Sequence, residues 1–397
     1  MRIALISDTF PPLRNSGAVQ MRDLAREFVR QSHQVTVILP SNELNKPWEI
    51  DNIDGIRILR LSSPKIKNIG YVGRTISELV MPFSMLVNLH RSPLGKELWD
   101  GIVWYSPSIF HSLLVKVMKK KKPCRSYLII RDIFPQWAVD VGLIVRGSFI
   151  HHFFNTIANY QYSVADVIGV QTPSNKCYFK DWQLKFGRKL EVLQNWLDTP
   201  NKLRCPIRVS ETILAGRKIF VYAGNMGVAQ GMGVLISLAE RMQVRQDVGF
   251  LFVGRGQEMA KIKSSAQELG LTNVLFFDEI QPDEISDLYS QCSVGIVALD
   301  PRHKTHNIPG KFLTYMQNGL PVLANVNLGN DLAAMIRDER VGEVSENNQV
   351  EELQLLAEKI LHQIDTDMNL SERCRLLFDR EFSVKQAVKQ IVTALSS

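Results

Sequence analysis

The sequence predicts an α/β protein with two doubly wound parallel sheets, one in each half of the chain. Short apolar segments suited to buried strands alternate with amphipathic segments suited to helices, which is typical of a parallel sheet covered by helices on both faces. The pattern begins with a strand at 2–7, a helix at 19–31 and a strand at 33–39, and a similar series begins at 218–224. A length of 397 residues also favours two domains over a single hydrophobic core.

The remaining elements follow from the same alternation. In the first half we expect further strands at 56–61, 101–104, 127–130, 167–170 and 189–193. In the second half we expect strands at 248–253, 274–277, 294–298 and 321–324, helices at 232–241, 258–268, 282–291 and 311–318, and a wholly helical tail from 350 to 397. Residues 199–216 carry two prolines and little periodicity, so they are the best candidate for a linker.

The composition is that of a soluble globular protein, with 45% apolar and 22% charged residues. No window holds the ~18 uninterrupted apolar residues that a transmembrane helix needs. Asp8 and Pro11-Pro12 interrupt the first apolar run too early for a signal peptide. The five cysteines are scattered without metal-ligand or redox spacing, so we expect reduced thiols and a cytoplasmic protein.

The net charge of +7 is uneven, because the first 200 residues carry +10 and the others −3. The first half is therefore expected to meet an anionic partner, either nucleic acid or a membrane surface. Nucleic acid is disfavoured because the basic residues do not interleave with aromatic residues on one element. The run Lys119-Lys120-Lys121-Lys122 and the apolar stretch 71–89 fit a lipid-facing surface, although a solvated helix end and a core helix would also explain them.

The most informative segment is 306–324, which reads as a loop, a short helix and a strand. Pro309-Gly310 precede the helix and Gly319 ends it, so Lys311 falls in its first turn. The positive end of the helix dipole repels a cation at that position. A lysine there makes sense if a phosphate occupies the helix N-terminus and contacts both groups. The alternative is a surface lysine in an ordinary strand–helix unit.

Three glycine-containing loops follow predicted strands and could bring backbone N–H groups close to a phosphate. Their candidate binding residues are Gly17 in the first loop, Gly224, Asn225, Gly227 and Gln230 in the second, and Gly254, Arg255 and Gly256 in the third. None is a GxGxxG fingerprint opening a first βαβ unit, and there is no GxxxxGK[ST] loop, so a dinucleotide oxidoreductase and an NTPase are disfavoured. Glycine at strand–helix turns for steric reasons alone remains the competing explanation.

Arg131 and Asp132 directly follow the predicted strand 127–130, at the end where α/β proteins bind their ligands. A surface ion pair would give the same pattern. Asp365-Thr366-Asp367 resembles an Asp-x-Asp metal motif, but it lies in the helical tail with no strand before it. No other His, Cys or carboxylate cluster has metal-ligand spacing, so we predict no metal site.

Taken together, these motifs resemble the GT-B glycosyltransferases of family 4, over nearly the whole chain. Residues 309–316 resemble the family signature P-S-K-x-x-E-Y-M, and residues 254–258 resemble its G-x-G-x-E loop. Residues 131–135 are similar to the R-D-L-W-P of a subgroup that builds bacterial O-antigen and capsule repeat units. That subgroup includes transferases of N-acetylated amino-deoxyhexoses such as N-acetyl-L-fucosamine.

The resemblance implies two Rossmann-like domains facing a cleft: 1–200 for the acceptor and 201–378 for the nucleotide sugar, with a helix at 379–397 crossing back to the first domain. It implies a retaining transfer from a UDP-sugar to a polyprenyl-diphosphate-linked sugar, at the inner face of the cell membrane, without metal or cofactor. Lys311, Asp132 and Arg131 would be catalytic. The donor would be held by Pro309, Gly310, Thr314 and the glycine-loop residues named above.

The sequence departs from the family pattern at three charged positions. Thr314 stands where a ribose-binding Glu is usual, and Asn225 and Gln230 stand where an Arg and a Lys usually hold the diphosphate. Two other functions therefore stay open. One is a UDP-sugar 2-epimerase, for which Asp132, His111 and Glu258 would have to supply the acid and base. The other is a non-catalytic protein that binds nucleotide sugars or lipid.

Overall fold

A computed structural model describes residues 1–397 except 14, 67, 68, 107, 200–202 and 301–306. At Tyr71 it describes the backbone alone. The chain forms two compact units. The first consists of Met1–Trp196 and Val384–Ser397, and the second of Leu197–Ser383. The sequence predicts the first boundary between these units after residue 200 and the second before residue 379.

The first unit is built on an eight-stranded sheet. Its strands are β1 (Arg2–Ile6), β2 (Gln34–Ser41), β3 (Trp48–Ile53), β4 (Ile56–Ser62), β5 (Gly101–Ser106), β6 (Arg125–Ile130), β7 (Val167–Val170) and β8 (Lys189–Val192). The spatial order is β3-β4-β2-β1-β5-β6-β7-β8. Every pair is parallel except β3 with β4. Strands β1, β5 and β6 are therefore neighbours whose carboxyl ends lie at one edge.

The antiparallel edge strand β3 is missing from the predicted elements. It pairs only with β4 and is half-buried to exposed, so it lacks the apolar run of the other strands. The local signal for it is the Asp54-Gly55 turn, where both residues have positive φ (54° and 77°). An Asp-Gly pair with these dihedrals is a typical two-residue hairpin turn.

Six helices precede the second unit. They are α1 (Ser16–Arg30), α2 (Tyr71–Arg91), α3 (Ser112–Lys121), α4 (Gln136–Asp140), α5 (Phe149–Val164) and α6 (Lys180–Phe186). Helix α1 begins three residues before its predicted start because the Asn15 side chain accepts a hydrogen bond from the Ala18 N–H and caps it. Helices α2, α3 and α5 contribute to the core on one face of the sheet, and α1 contributes to the core on the other.

The second unit has a six-stranded sheet in which all pairs are parallel. Its strands are β9 (Lys218–Asn225), β10 (Val248–Arg255), β11 (Val274–Phe277), β12 (Val294–Ala298), β13 (Val322–Asn325) and β14 (Gly342–Ser345), in the spatial order β11-β10-β9-β12-β13-β14. Its helices are α7 (Gly233–Arg241), α8 (Met259–Glu268), α9 (Ile285–Tyr289), α10 (Gly310–Gln317), α11 (Asp331–Glu339), α12 (Val350–Thr366) and α13 (Leu370–Leu377). Strand β14 and helix α11 were not predicted.

The last helix, α14 (Val384–Ser396), belongs to the first unit, as the resemblance implied. Its Val388 and Ile391 are buried with Leu24 and Phe28 of α1. The predicted continuous helical tail is wrong, because it breaks after α12 and again at Ser383. The π-helical turn Phe378–Phe382 ends the second unit, whose core buries both phenylalanines.

The basic run at the end of α3 is less free than its sequence suggests. Lys119 forms an ion pair with Asp166, Lys121 donates to the Gly95 carbonyl, and Lys122 lies 2.7 Å from an Asp100 carboxylate oxygen. These partners come from other parts of the first unit, so most of the run fastens the helix end to its neighbours. No helix in the described part of the chain is both long and apolar enough to cross a membrane.

The Asp-x-Asp motif is likewise engaged in ion pairs. Asp365 pairs with Lys218, and Asp367 lies 2.6 Å from an Arg373 nitrogen. The two carboxylates therefore neutralise separate cations of the second unit.

Candidate functional site

The predicted site residues fall into two groups, one in each unit. Gly17, Arg131 and Asp132 belong to the first unit, and all the others belong to the second. Within each unit the residues gather where parallel strands end.

Helix α10 places Lys311 at the carboxyl end of β9. Pro309 is the extended N-cap residue (φ −63°, ψ 139°), Gly310 opens the helix, and Lys311 follows in the first turn as predicted. The Lys311 Nζ atom lies 3.5 Å from the centroid of the Tyr222 ring. The Tyr222 hydroxyl is fixed by a 2.6 Å hydrogen bond that it donates to the Asn225 carbonyl. The lysine therefore lies over an aromatic face at the end of β9.

This cation has an unfavourable environment in the free protein. Among the described residues no carboxylate pairs with Lys311, and burial lowers the pKa of its ammonium group to about 7. The positive end of the α10 dipole acts on the ammonium in the same direction. The Tyr222 ring attracts a cation, but by less than a carboxylate would. A site of this kind is suited to a bound anion, which would accept hydrogen bonds from the ammonium and from the helix N-terminus.

The second and third glycine loops lie side by side, because β9 and β10 are neighbours with Gly224 opposite Gly254. Gly254 has a φ of +149°, and a Cβ atom there would lie 2.0 Å from the Gly224 carbonyl oxygen. At Gly256, with a φ of +146°, a Cβ atom would lie 2.3 Å from the Met226 carbonyl oxygen. Glycine is thus required at both positions so that the two loops can approach each other.

Gly224 differs from these two glycines, because it faces the lysine. A Cβ atom at Gly224 would have Lys311 Cε as its nearest neighbour, at 3.9 Å. Its φ of +135° also favours glycine. The backbone at Gly224 is therefore the part of the glycine loops that lies beside the Lys311 side chain.

The polar residues of the second loop hold one another. The Gln230 Oε1 atom accepts hydrogen bonds from the Gly227 N–H at 2.9 Å and from the Asn225 side-chain amide at 3.3 Å. Arg255 is 78% exposed and lies 3.0 Å from a Glu279 carboxylate oxygen, so its guanidinium is engaged away from Lys311. Thr314 donates a hydrogen bond of 3.3 Å to the Gly310 carbonyl, one turn earlier in α10.

In the first unit, Arg131 and Asp132 are neighbouring charges at the end of β6, where Arg131 is half-buried and Asp132 is exposed. Burial lowers the pKa of Arg131 and raises the pKa of Asp132, and each charge opposes the effect of burial on the other. The Arg131 Nη1 atom is buried without a hydrogen-bond partner among the described residues. The alternative of a surface pair therefore stays open, since Asp132 is exposed and only Arg131 is partly buried.

The structure adds Asp8 and His111 to this group. His111 is fully buried, and neither ring nitrogen has a hydrogen-bond partner in the described part of the chain. One carboxylate oxygen of Asp8 is also buried without a hydrogen-bond partner among these residues. Burial lowers the pKa of His111, while the Asp8 charge raises it. Asp8, His111 and Arg131 follow the neighbouring strands β1, β5 and β6, so unsatisfied buried polar groups meet at one edge. Such groups indicate a ligand site, because native proteins pair nearly all buried polar atoms.

Gly17 lies beside this edge in the first turn of α1. A Cβ atom there would lie 3.2 Å from the Tyr105 hydroxyl and 3.2 Å from Thr9 Cγ2. Thr9 donates a hydrogen bond of 2.9 Å to the Asn15 cap. The first loop is therefore folded back onto the end of β5, and Gly17 is the residue where the loop comes close to Tyr105.

Residues 217–365 match the family model of the glycosyl transferases group 1. The protein named probable glycosyltransferase WbjE, from Pseudomonas aeruginosa, is 23% identical over 348 residues, which are 86% of this chain and 84% of that protein. WcaI of Escherichia coli K12, named as a colanic acid biosynthesis glycosyl transferase, is 25% identical over 227 residues, 51% of this chain and 52% of its own length. The second unit therefore carries a region that matches the group 1 glycosyl transferases, and the chain as a whole is similar to glycosyltransferases.

Solved structures show that the chain has the predicted GT-B fold. The lipopolysaccharide-biosynthesis glycosyltransferase WaaG matches with a TM-score of 0.60 and 17% identity, covering 100% of both chains. Anabaena HepE in complex with UDP and glucose matches with a TM-score of 0.61 and 15% identity, also over 100% of both chains. Sucrose-phosphate synthase from Thermosynechococcus elongatus matches with a TM-score of 0.66 and 17% identity, over 99% of this chain and 97% of that one.

Replacing Gly254 by Ala should destabilise the second unit by about 2 kcal/mol or more, since the new Cβ atom meets a carbonyl oxygen and the φ is one that only glycine adopts readily. Gly233→Ala is the matched control, because a Cβ atom at Gly233 has open space and its φ is not positive. Thermal unfolding of both variants measures the difference. Equal midpoints would show that the loops are not packed as described.

The charge on Lys311 should make stability depend on pH. The folded-state pKa of about 7 lies below the ordinary value of 10.5, so the unfolded chain binds more protons between these values and stability rises with pH across that window. We expect Lys311→Met to be more stable than the unaltered protein at pH 6, with a smaller advantage at pH 9. Denaturant unfolding at both pH values measures this. An advantage that is the same at pH 6 and pH 9 would contradict the lowered pKa.

Proposed function

We propose that this protein is a retaining glycosyltransferase of family 4. It moves an N-acetylated amino-deoxyhexose, such as N-acetyl-L-fucosamine, from a UDP-sugar to a polyprenyl-diphosphate-linked sugar during O-antigen or capsule synthesis. The observation that carries the proposal is the Lys311 ammonium, which has no carboxylate partner among the described residues and lies partly buried at a helix N-terminus beside the glycine loops. A diphosphate is the anion that a nucleotide-sugar donor brings.

In the proposed reaction the second unit holds the donor. The bond between the anomeric carbon and the diphosphate oxygen breaks, and negative charge develops on that oxygen. Lys311, the N–H groups at the start of α10 and the backbone at Gly224 stabilise this charge. The acceptor hydroxyl oxygen forms the new bond on the same face of the sugar, and its proton passes to the departing diphosphate. The uncharged Asn225 and Gln230 contribute hydrogen bonds rather than charge, which leaves Lys311 as the main cation.

The first unit is proposed to take the acceptor. Asp132 and Arg131 lie where β6 ends, and the exposed Asp132 carboxylate would accept a hydrogen bond from a sugar hydroxyl and orient it. Asp8 and His111 offer further unsatisfied polar atoms at the same edge. No cofactor or metal is required for the proposed step, because Lys311 and the helix dipole supply the positive charge.

The similar proteins support this choice of donor and acceptor. HepE is described in complex with UDP and with glucose, WaaG in lipopolysaccharide biosynthesis, and WcaI in colanic acid biosynthesis. These descriptions support a UDP-sugar donor and a bacterial polysaccharide as the product. The amino-deoxyhexose rests on the similarity of residues 131–135 and 309–316 to the O-antigen subgroup.

The deciding experiment measures UDP release from a panel of UDP-sugars, with and without a lipid-diphosphate-linked N-acetylhexosamine. Release that requires the acceptor, with one amino-deoxyhexose donor, would establish the transferase and its donor. Release of UDP without acceptor, together with an epimerised sugar, would favour the 2-epimerase. Binding of UDP without release under any condition would favour the non-catalytic binding protein.

Lys311→Ala should weaken the binding of the UDP-sugar roughly 10- to 100-fold, because a charged hydrogen bond to phosphate contributes about 1.5–3 kcal/mol. Lys263→Ala is the control, since Lys263 is an exposed lysine of α8 in the same unit. Isothermal titration calorimetry with UDP-sugar measures both affinities. Equal affinities of the two variants would refute the assignment of the diphosphate to Lys311.

A further inference from the structure

Helix α2 is apolar on two opposite sides. One side carries Met81, Met85 and Leu89, which are buried in the core of the first unit. The other side is a row at helical intervals of four, four, three and four residues, whose side chains are 44 to 76% exposed: Val72, Ile76, Val80, Phe83 and Val87. A helix on a soluble surface usually presents polar residues there, and this row is about 22 Å long at 1.5 Å per residue. We call it the outer row of α2.

A second exposed apolar group lies in the segment between α4 and α5 and in the first turn of α5. Its members are between 54 and 85% exposed: Val141, Leu143, Val145, Phe149 and Ile150. Helices α2, α3 and α5 contribute to the same core on one face of the sheet, so they form one layer. Each of these helices returns the chain from the carboxyl ends of the strands to the amino ends. The outer row and the second group therefore both begin near the edge where Asp8, His111 and Arg131 lie.

The charges of this helix layer are almost all positive. It contains six basic residues: Arg74, Arg91, Lys116, Lys119, Lys120 and Lys121. Its single carboxylate is Glu78, whose side chain is 15% exposed and pairs with Arg74 at 2.9 Å. Lys116 and Lys120 are exposed, one turn apart on α3, and α3 lies in the layer with α2 and α5.

The combination of exposed apolar side chains with an excess of positive charge indicates the chemistry of the partner. Two copies of this chain meeting through the layer would bring like charges together. An anionic bilayer supplies negative headgroups for the lysines and an apolar interior for the outer row. We propose that the layer of α2, α3 and α5 docks on an anionic lipid bilayer, with the outer row of α2 and the start of α5 inserted at the headgroup boundary.

This docking surface deepens the proposed function and rests on it for its purpose. It brings the edge that carries Asp8, His111 and Arg131 close to the bilayer, where the diphosphate of a lipid-linked acceptor lies. It also assigns the lipid contact to α2, α5 and the exposed lysines of α3. The complete run 119–122 is not needed, because three of its four lysines have partners within the unit.

The test uses the full chain and vesicles of phosphatidylethanolamine with phosphatidylglycerol, compared with vesicles of phosphatidylcholine alone. We expect binding to the anionic vesicles only, and at least a tenfold loss of that binding in the double variant Ile76→Ser, Phe83→Ser. The matched control is Ile213→Ser, Leu328→Ser, which removes two exposed apolar side chains from the second unit. Circular dichroism shows whether each variant is folded.

Three results would overturn the docking surface. They are equal vesicle binding by the double variant and the control, equal binding to neutral and anionic vesicles, or dimerisation through the outer row without vesicle binding. Turnover of a short water-soluble acceptor separates this proposal from the proposed function. The double variant should keep that activity, whereas absence of turnover in the unaltered protein, with vesicle binding intact, would count against the transferase alone.

Discussion

The second unit contains a partly buried cation, Lys311, that no carboxylate of the described residues neutralises. Lys311 lies in the first turn of α10, where the helix dipole and burial both disfavour its charge. A neutral side chain at this position would make the unit more stable. Its neighbours are backbone and an aromatic ring rather than a carboxylate, so the charge is left for a ligand. The fold thus carries a local energetic cost at the place where the donor diphosphate is proposed to bind.

The glycines around Lys311 have two different tasks. Gly254 and Gly256 let the loops after β9 and β10 come within contact of each other, so they maintain the shape of the site. Gly224 leaves its backbone accessible beside the lysine. Two positions where the family usually has cations are uncharged here, since Asn225 and Gln230 bond to each other, and the exposed Arg255 pairs with Glu279. Anion binding in this protein consequently depends on Lys311 more than a site with several cations would.

Much of the fold could be predicted because buried parallel strands are continuous apolar runs. The strands that were missed, β3 and β14, are at sheet edges, where a strand is short or partly exposed and the apolar signal weakens. The position of Lys311 followed from local helix signals, and the structure agrees. The sequence could not predict that polar atoms of Asp8 and His111 are buried without hydrogen-bond partners among the described residues, since their burial depends on strands about a hundred residues apart in sequence.

On the surface of the first unit, too, the local sequence does not determine which side chains are free and which are engaged. The run 119–122 resembles a free basic patch, but its lysines find partners at Gly95, Asp100 and Asp166. The apolar stretch 71–89 could belong to a core or to a lipid surface; in the structure one side of α2 is in the core and the other is open. Only the tertiary structure separates the two sides, because both are apolar.

The most direct measurement of the central claim is the titration of Lys311 itself, by NMR of protein carrying 13C-labelled lysine, with Lys311→Arg used to assign its signal. We predict a pKa near 7 in the free protein, far below the ordinary 10.5, and a rise of two units or more when UDP is bound. A pKa near 10.5 in the free protein that UDP leaves unchanged would show that Lys311 is an ordinary surface lysine and that the diphosphate binds elsewhere.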